Sequence, residues 1–243
     1  MNMAKAQESI TTNVYTIMDG EHVKGAVLVC RGLGVRKGKD IPDFFDTLAT
    51  TPVQTHSLNV RVVDGVGDSV YDDTDALVTF VNGVTIGVRT ADCVPILLYA
   101  EDVNGVAAIH AGWKGTLGGI LDRTLDLLED RGADLSGLKV AFGPSISSGN
   151  YEVDSELAGR FIEAGFTDYV TWPGGAEGKP HIDLQGVNIE CLRRRGVRDE
   201  NIKPSEFCTL QSVNEEGEYM FPSYRRDGAP DERLMTCITL LDE

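Results

Sequence analysis

Two apolar runs separated by a polar turn constrain this 243-residue chain more than any other feature of its sequence. The runs cover residues 94–100 (VPILLYA) and 106–110 (VAAIH), and both have the length and branched content of β-strands. The intervening segment 101–105 (EDVNG) contains an Asn-Gly pair, which is a strong hairpin signal. The pattern predicts a β-hairpin in which His110 lies opposite position 95 or 96.

A cysteine and a histidine stand at the same end of this predicted hairpin. Cys93 precedes the first strand and His110 ends the second. Because side chains alternate between the faces of a strand, the two can lie diagonally on one face, with Cβ atoms within about 8 Å. Taken singly, each is more often structural, since an isolated cysteine is usually a small core residue. Their predicted proximity favours a shared role in chemistry.

A glycine-rich turn that contains Lys114 follows the hairpin at residues 111–116 (AGWKGT). Thr116 is the predicted N-cap of a helix over about 116–130, whose apolar residues recur at helical spacing. Backbone amides at such a helix start suit an anion such as phosphate. The acidic segment 72–75 is interpreted as turn and capping residues.

The remaining pattern predicts strands and helices in mixed order. Hairpins alternate with helical crossovers, and neither an internal repeat nor an interdomain linker is visible. We therefore expect a frayed segment at 1–12 and one domain over 13–243, with an α/β (mixed α+β) fold of mixed β-sheets flanked by helices. The predicted strands are 26–30, 76–81, 85–89, 139–142 and 234–241; the predicted helices are about 41–49, 154–165 (capped by Asp154) and 183–196 (capped by Asp183).

Composition excludes several classes of protein. The net charge of −16 disfavours nucleic acid and anionic membranes as partners. The first residues contain no apolar signal-peptide segment, and no run approaches the length of a membrane span. Five scattered cysteines without a Cys-x-x-Cys pair predict a reducing, cytoplasmic location.

Several motifs follow the order found in one known family. Thr-Ala-Asp-Cys stands at 90–93 and His-Ala-Gly-Trp-Lys-Gly at 110–115. On these motifs the chain resembles the YfiH-like laccase-domain family, whose members are also called polyphenol oxidases or purine nucleoside phosphorylases. Further matches lie at 54–56 (QTH), 73–79 (DTDALVT), 142–144 (FGP), 151–153 (YEV), 208–209 (CT) and 223–228 (SYRRDG).

The resemblance implies a catalytic set and a metal. It makes His56, Cys93 and His110 the catalytic residues and metal ligands, although Thr55 and Ser57 stand where the family usually has Val and Gly. Two imidazoles and a thiolate suit zinc with one open position, and copper accepts the same donors. Four histidines in the whole chain are too few for the copper sites of a multicopper laccase.

The resemblance also implies the substrates. The expected reactions are phosphorolysis of adenosine, inosine, guanosine or methylthioadenosine, and deamination of adenosine, in a monomer or weak homodimer. The candidate residues for phosphate and substrate are Lys114, Arg31, Gln54, Arg225 and Arg226. The role of Asp92 is left open.

Three other interpretations remain. A Cys-His hydrolase or peptidoglycan-editing factor would use Cys93 as a nucleophile activated by His110, without a metal. A copper-dependent polyphenol oxidase is the second alternative. The third is an interaction module in which the three residues belong to the core.

Overall fold

Strands dominate the part of the chain that the computed structural model describes, which comprises residues 14–30, 49–65, 70–175, 178–228 and 231–242. The helices are short, and none of those described is long and apolar enough to cross a membrane. The strands are β1 (Val14–Gly20), β2 (Val23–Cys30), β3 (Val60–Val62), β4 (Ala76–Thr79), β5 (Thr85–Thr90), β6 (Val94–Ala100), β7 (Gly105–Ala111), β8 (Lys139–Phe142), β9 (Val170–Thr171), β10 (His181–Ile182), β11 (Ile202–Lys203) and β12 (Arg233–Leu240). The helices are α1 (Trp113–Gly118), α2 (Ile120–Asp130), α3 (Ser155–Glu163), α4 (Leu184–Arg194) and α5 (Tyr224–Asp227).

The predicted hairpin forms the middle of a six-stranded mixed sheet. The strand order is β11-β8-β6-β7-β4-β3, with parallel pairs at the two edges and antiparallel pairs between them. Pro95 pairs with His110, as the sequence predicts. The connection contains a 3-10 turn, Glu101–Val103, followed by Asn104 in the left-handed region with φ 47°.

A second sheet packs against the first. It is antiparallel, with the order β1-β2-β12-β5. Leu97 of β6 packs in one cluster with Val88 of β5 and Ile238 of β12, whereas Ile96 and its alternating neighbours pack towards the helices. Both faces of β6 are therefore buried, which explains why its sequence is continuously apolar.

The region after the hairpin differs from the prediction of one helix over 116–130. The chain forms α1 and α2 instead, separated by Gly119 with a left-handed φ of 79°. Gly112, not Thr116, is the N-cap of α1. Thr116 lies buried inside α1, where its hydroxyl accepts a 3.1 Å hydrogen bond from Asn188 of α4. The predicted cap is therefore wrong, because Thr116 links two helices.

Other predicted elements agree closely with the structure. Asp154 and Asp183 cap α3 and α4 by accepting hydrogen bonds from backbone N–H groups. The strand predicted at 76–81 ends at Thr79. The predicted segment 1–12 and almost all of the predicted helix 41–49 lie outside the described residues. The sheets and flanking helices confirm the mixed α+β fold class.

Candidate metal centre

Three side chains with metal-binding donors meet at the end of the hairpin. His56 comes from the loop before β3, Cys93 from the turn before β6, and His110 from β7. Their donor atoms all lie within 4.8 Å of one another, and Cys93 Sγ is 3.7 Å from His56 Nε2. Zinc bonds of about 2.0–2.3 Å imply donor separations of about 3.5 Å in a tetrahedral site. The donor set and its spacing therefore fit a transition metal.

The imidazole ring of His110 contacts the carboxylate of Asp75. Its Nδ1 lies 2.7 Å from Oδ1 of Asp75, and both side chains are buried. Burial raises the pKa of Asp75, but hydrogen bonds from His110 and Ser57 outweigh it and lower the pKa to about 2. Since Nδ1 faces Asp75, the other ring nitrogen of His110 faces Cys93.

His56 lies in a tight bend of the loop before β3. Its φ is +61°, which is uncommon for a residue with a side chain. The backbone N–H groups of Thr55, His56 and Ser57 all donate to the carboxylate of Asp75, at 3.2, 3.1 and 2.6 Å. The bend leaves the His56 side chain exposed, so the site opens to solvent on that side.

The electrostatics of the site favour a thiolate. Burial raises the pKa of the Cys93 thiol, but hydrogen bonds with His110 and His56 outweigh burial and lower the pKa to about 6. Burial lowers the pKa of His110, whereas Asp75 and Cys93 raise it to about 9. The thiolate is the form of cysteine that binds metals and acts as a nucleophile.

Gly112 forms the floor of the site. A Cβ atom at this position would lie 2.9 Å from Cδ2 of His56 and 3.0 Å from Sγ of Cys93. Both distances are shorter than ordinary van der Waals contacts. The chain therefore needs glycine here to bring its backbone close to two of the three donors.

Two of the predicted substrate residues belong to segments that adjoin this centre in the chain or through a hydrogen bond. Lys114 is exposed on α1, with its ammonium 5.6 Å from the ring centroid of Trp113. The backbone N–H of Arg225 donates to Asp92, the neighbour of Cys93, at 2.7 Å. The Arg225 guanidinium bonds the carbonyl of Glu152 and lies 5.6 Å from the ring centroid of Tyr151.

The other predicted substrate residues are engaged elsewhere or lie outside the described part of the chain. Gln54 uses both ends of its amide to bond the backbone of Arg89, at 2.7 and 2.8 Å. The guanidinium of Arg226 pairs with Asp227 and donates to three backbone carbonyls, those of Thr209, Leu210 and Phe221. Arg31 is not among the described residues.

The structure assigns positions to three residues whose roles the sequence did not define. Asp75 belongs to a segment whose sequence indicates a turn, yet it contacts two of the three segments that carry metal-binding side chains. Asp92 has φ 88°, and its carboxylate accepts from Thr209 and Arg225. Burial, followed by the Cys93 thiolate, raises the pKa of Tyr151, which places that phenol within electrostatic range of the site. A prediction that β4 pairs with β7 would have placed Asp75 beside His110, because Ala76 pairs with Ile109.

The fold and the site together define a mixed α+β protein with an open two-histidine, one-cysteine centre able to bind a metal. Residues 44–241 match the family described as multi-copper polyphenol oxidoreductase laccase. The chain belongs to this family. All four histidines lie in the described part of the chain, and within that part these three residues form the one cluster of metal-capable side chains.

Curated relatives carry enzyme names. The chain is 36% identical over 186 residues to adenosine deaminase RL5 from an unknown prokaryotic organism, an alignment that covers 73% of this chain and 69% of the relative. It is 35% identical over 187 residues to purine nucleoside phosphorylase of Deinococcus radiodurans, with 77% and 68% covered. The corresponding protein of Aquifex aeolicus is 35% identical, with 78% and 82% covered.

Solved structures of similar proteins have the same fold. YlmD from Geobacillus stearothermophilus aligns with a TM-score of 0.73 at 25% identity, over 91% of this chain and 93% of YlmD. The YfiH protein of Bacillus licheniformis aligns with a TM-score of 0.73 at 22% identity, over 90% and 93%. The likeness extends over nearly the whole chain.

Proposed function

We propose that this protein is a zinc-dependent purine nucleoside phosphorylase that also deaminates adenosine. The observation that carries the proposal is the open cluster of His56, Cys93 and His110. Three protein donors with a solvent-facing side are typical of catalytic zinc, whereas structural zinc sites are closed by four. The names of the relatives support the same two reactions.

A zinc ion held by these three residues would supply a Lewis acid beside the substrate. Asp75 and His110 keep one side of the centre buried, and His56 leaves the other side open to a nucleoside. In phosphorolysis a phosphate oxygen bonds to C1′ of the ribose while the bond from C1′ to the purine nitrogen breaks. The products are the free base and ribose 1-phosphate.

Lys114 and Arg225 are the cations that we assign to phosphate. Both are exposed side chains on segments that adjoin the donor cluster: Lys114 follows Gly112 by two residues, and Arg225 is tied to Asp92. Positive charge at these positions would orient the phosphate and stabilise charge that develops in the reaction. In a chain of net charge −16, such local cations must provide the attraction for an anion.

One observation favours a second candidate, a metal-independent thiol hydrolase. The Cys93 sulfur lies within 4.8 Å of a ring nitrogen of His110, and His110 Nδ1 lies 2.7 Å from Asp75, which is the order of nucleophile, base and orienting carboxylate. A peptidoglycan-editing factor would belong to this class. The copper oxidase alternative has less support, since four histidines cannot furnish several copper sites.

The deciding experiment measures metal and activity in the same preparation. Protein from an untagged chain should contain about one equivalent of zinc, and adenosine with phosphate should give adenine, ribose 1-phosphate and, in parallel, inosine. Chelation should abolish both activities and added zinc should restore them. Full activity without metal, lost on thiol alkylation, would support the hydrolase. No reaction of any common purine nucleoside by zinc-loaded protein would refute the phosphorylase.

The cellular setting follows from the sequence as a prediction. We infer a cytoplasmic protein without nucleic-acid or membrane partners that is a monomer or weak homodimer. Cys93, Cys191 and Cys208 are free thiols, which supports a reducing compartment.

A further inference from the structure

Asp75 has a fully buried carboxylate that accepts hydrogen bonds from two of the three segments that carry the donor atoms, those of His56 and His110. We propose that Asp75 is the positioning residue of the metal site, because it orients the ring of His110 and holds the bend that presents His56. The inference rests on the proposed zinc site and not on the identity of the nucleoside reaction.

The first of the two segments contains His110, whose ring contacts Asp75. A carboxylate acceptor 2.7 Å from Nδ1 requires the hydrogen on that nitrogen, which leaves the lone pair of Nε2 for a metal. The backbone reinforces the arrangement, since the N–H of His110 donates to the carbonyl of Asp75 at 2.8 Å. Pairing of Ala76 with Ile109 fixes the register that brings the two residues together.

The second of the two segments is the bend that contains His56. Three successive N–H groups, from Thr55 to Ser57, converge on the carboxylate of Asp75, and the Ser57 hydroxyl adds a fourth donor at 2.8 Å. These bonds compensate for the unfavourable φ of +61° at His56. Without the Asp75 carboxylate, the bend at His56 would lose the four hydrogen bonds that stabilise it.

Asp73 provides a matched control within the same acidic segment. Its carboxylate contacts the same loop, through the Thr55 hydroxyl and the side-chain amide of Asn59, but the side chain is exposed and touches neither histidine. Removal of its charge therefore perturbs the loop without removing the bond to His110.

The test compares zinc affinities of Asp75→Asn, Asp75→Ala and Asp73→Asn with the wild type, by competition against a chromophoric chelator. The asparagine variant keeps the size of the side chain but places an amide NH₂ among the backbone donors. We expect a loss of affinity of about 10- to 100-fold for Asp75→Asn, a larger loss for Asp75→Ala, and a change below about threefold for Asp73→Asn. Melting temperatures and circular dichroism establish that each variant is folded.

A second measurement uses the wild type alone, so it does not depend on whether the variants fold. Long-range ¹H–¹⁵N NMR spectra of the zinc-loaded protein should show His110 protonated at Nδ1. Protonation at Nε2 would overturn the proposal, as would unchanged affinity in folded Asp75→Asn or an equal loss in Asp73→Asn. If wild-type protein binds no zinc, the proposed metal site fails together with this inference, whereas absent nucleoside activity in zinc-binding protein leaves the inference standing.

Discussion

The hydroxyl of Thr209 donates a 2.6 Å hydrogen bond to the carboxylate of Asp92, although 117 positions separate the two residues in the chain. The other oxygen of Asp92 accepts from the backbone N–H of Arg225. Because Asp92 adjoins Cys93, this buried carboxylate fixes the segments around Thr209 and Arg225 against the donor cluster. It does so from the left-handed backbone conformation, which turns its side chain out of the regular strand pattern.

Thr209→Val should destabilise the fold. The substitution keeps the shape of the buried side chain but removes a donor to a buried carboxylate, which typically costs about 1–3 kcal/mol of unfolding free energy. The exposed Thr171→Val on β9 should change the free energy by less than about 0.5 kcal/mol. Urea unfolding of both variants provides the measurement, and equal stabilities would refute the role assigned to this bond.

Gly112→Ala should weaken metal binding more than it weakens the fold. The added methyl would lie 2.9 Å from the His56 ring and 3.0 Å from the Cys93 sulfur, so a donor must move. We expect zinc affinity to fall by at least about tenfold, since displaced ligands lose their geometry. Gly159→Ala in α3 is the control, because its Cβ meets nothing within 4 Å and a helical alanine should stabilise the protein by up to about 1 kcal/mol. Equal affinities in the two variants would contradict the close approach.

Zinc should protect Cys93 from alkylation. At pH 8 iodoacetamide should modify this half-buried thiol readily after chelation and slowly when zinc is bound. Cys191 serves as an internal control, since burial raises its pKa to about 11 and keeps it protonated under both conditions. Site-resolved mass spectrometry measures both residues in one sample. Labelling of Cys93 at the same rate with and without zinc would show that it is not a ligand.

The central hairpin was predictable because its determinants are local. The apolar runs, the turn between them and the pairing of Pro95 with His110 all follow from about twenty consecutive residues. The meeting of Cys93 and His110 follows from that register. Only the family resemblance predicts that His56 joins them, because no local sequence feature indicates the left-handed bend at that residue.

The residues that the sequence did not define depend on contacts between distant segments. Asp75 reaches His110 through the pairing of β4 with β7, and its neighbours in the sequence show only a turn. The type and position of Thr116 favour a helix cap, but the structure places Thr116 inside α1, where it accepts a hydrogen bond from Asn188. Gly119 divides the helix because glycine adopts φ 79° at little cost, a freedom that apolar spacing does not reveal.

Lys114→Ala should separate the two proposed activities. Phosphorolysis requires an anion and deamination does not, so loss of a cation near the donor cluster should lower kcat/KM for phosphorolysis by about 10- to 100-fold, as expected for a charge-assisted hydrogen bond. Deamination should change by less than about threefold.

Lys139→Ala is the matched control, because that exposed lysine pairs with Glu101 at the far end of β6. One chromatographic assay of adenosine, with and without phosphate, follows adenine and inosine together. Equal loss of both products would remove Lys114 from the phosphate role. Arg225 would then be the next cation to test, since its backbone N–H bonds Asp92, the neighbour of Cys93.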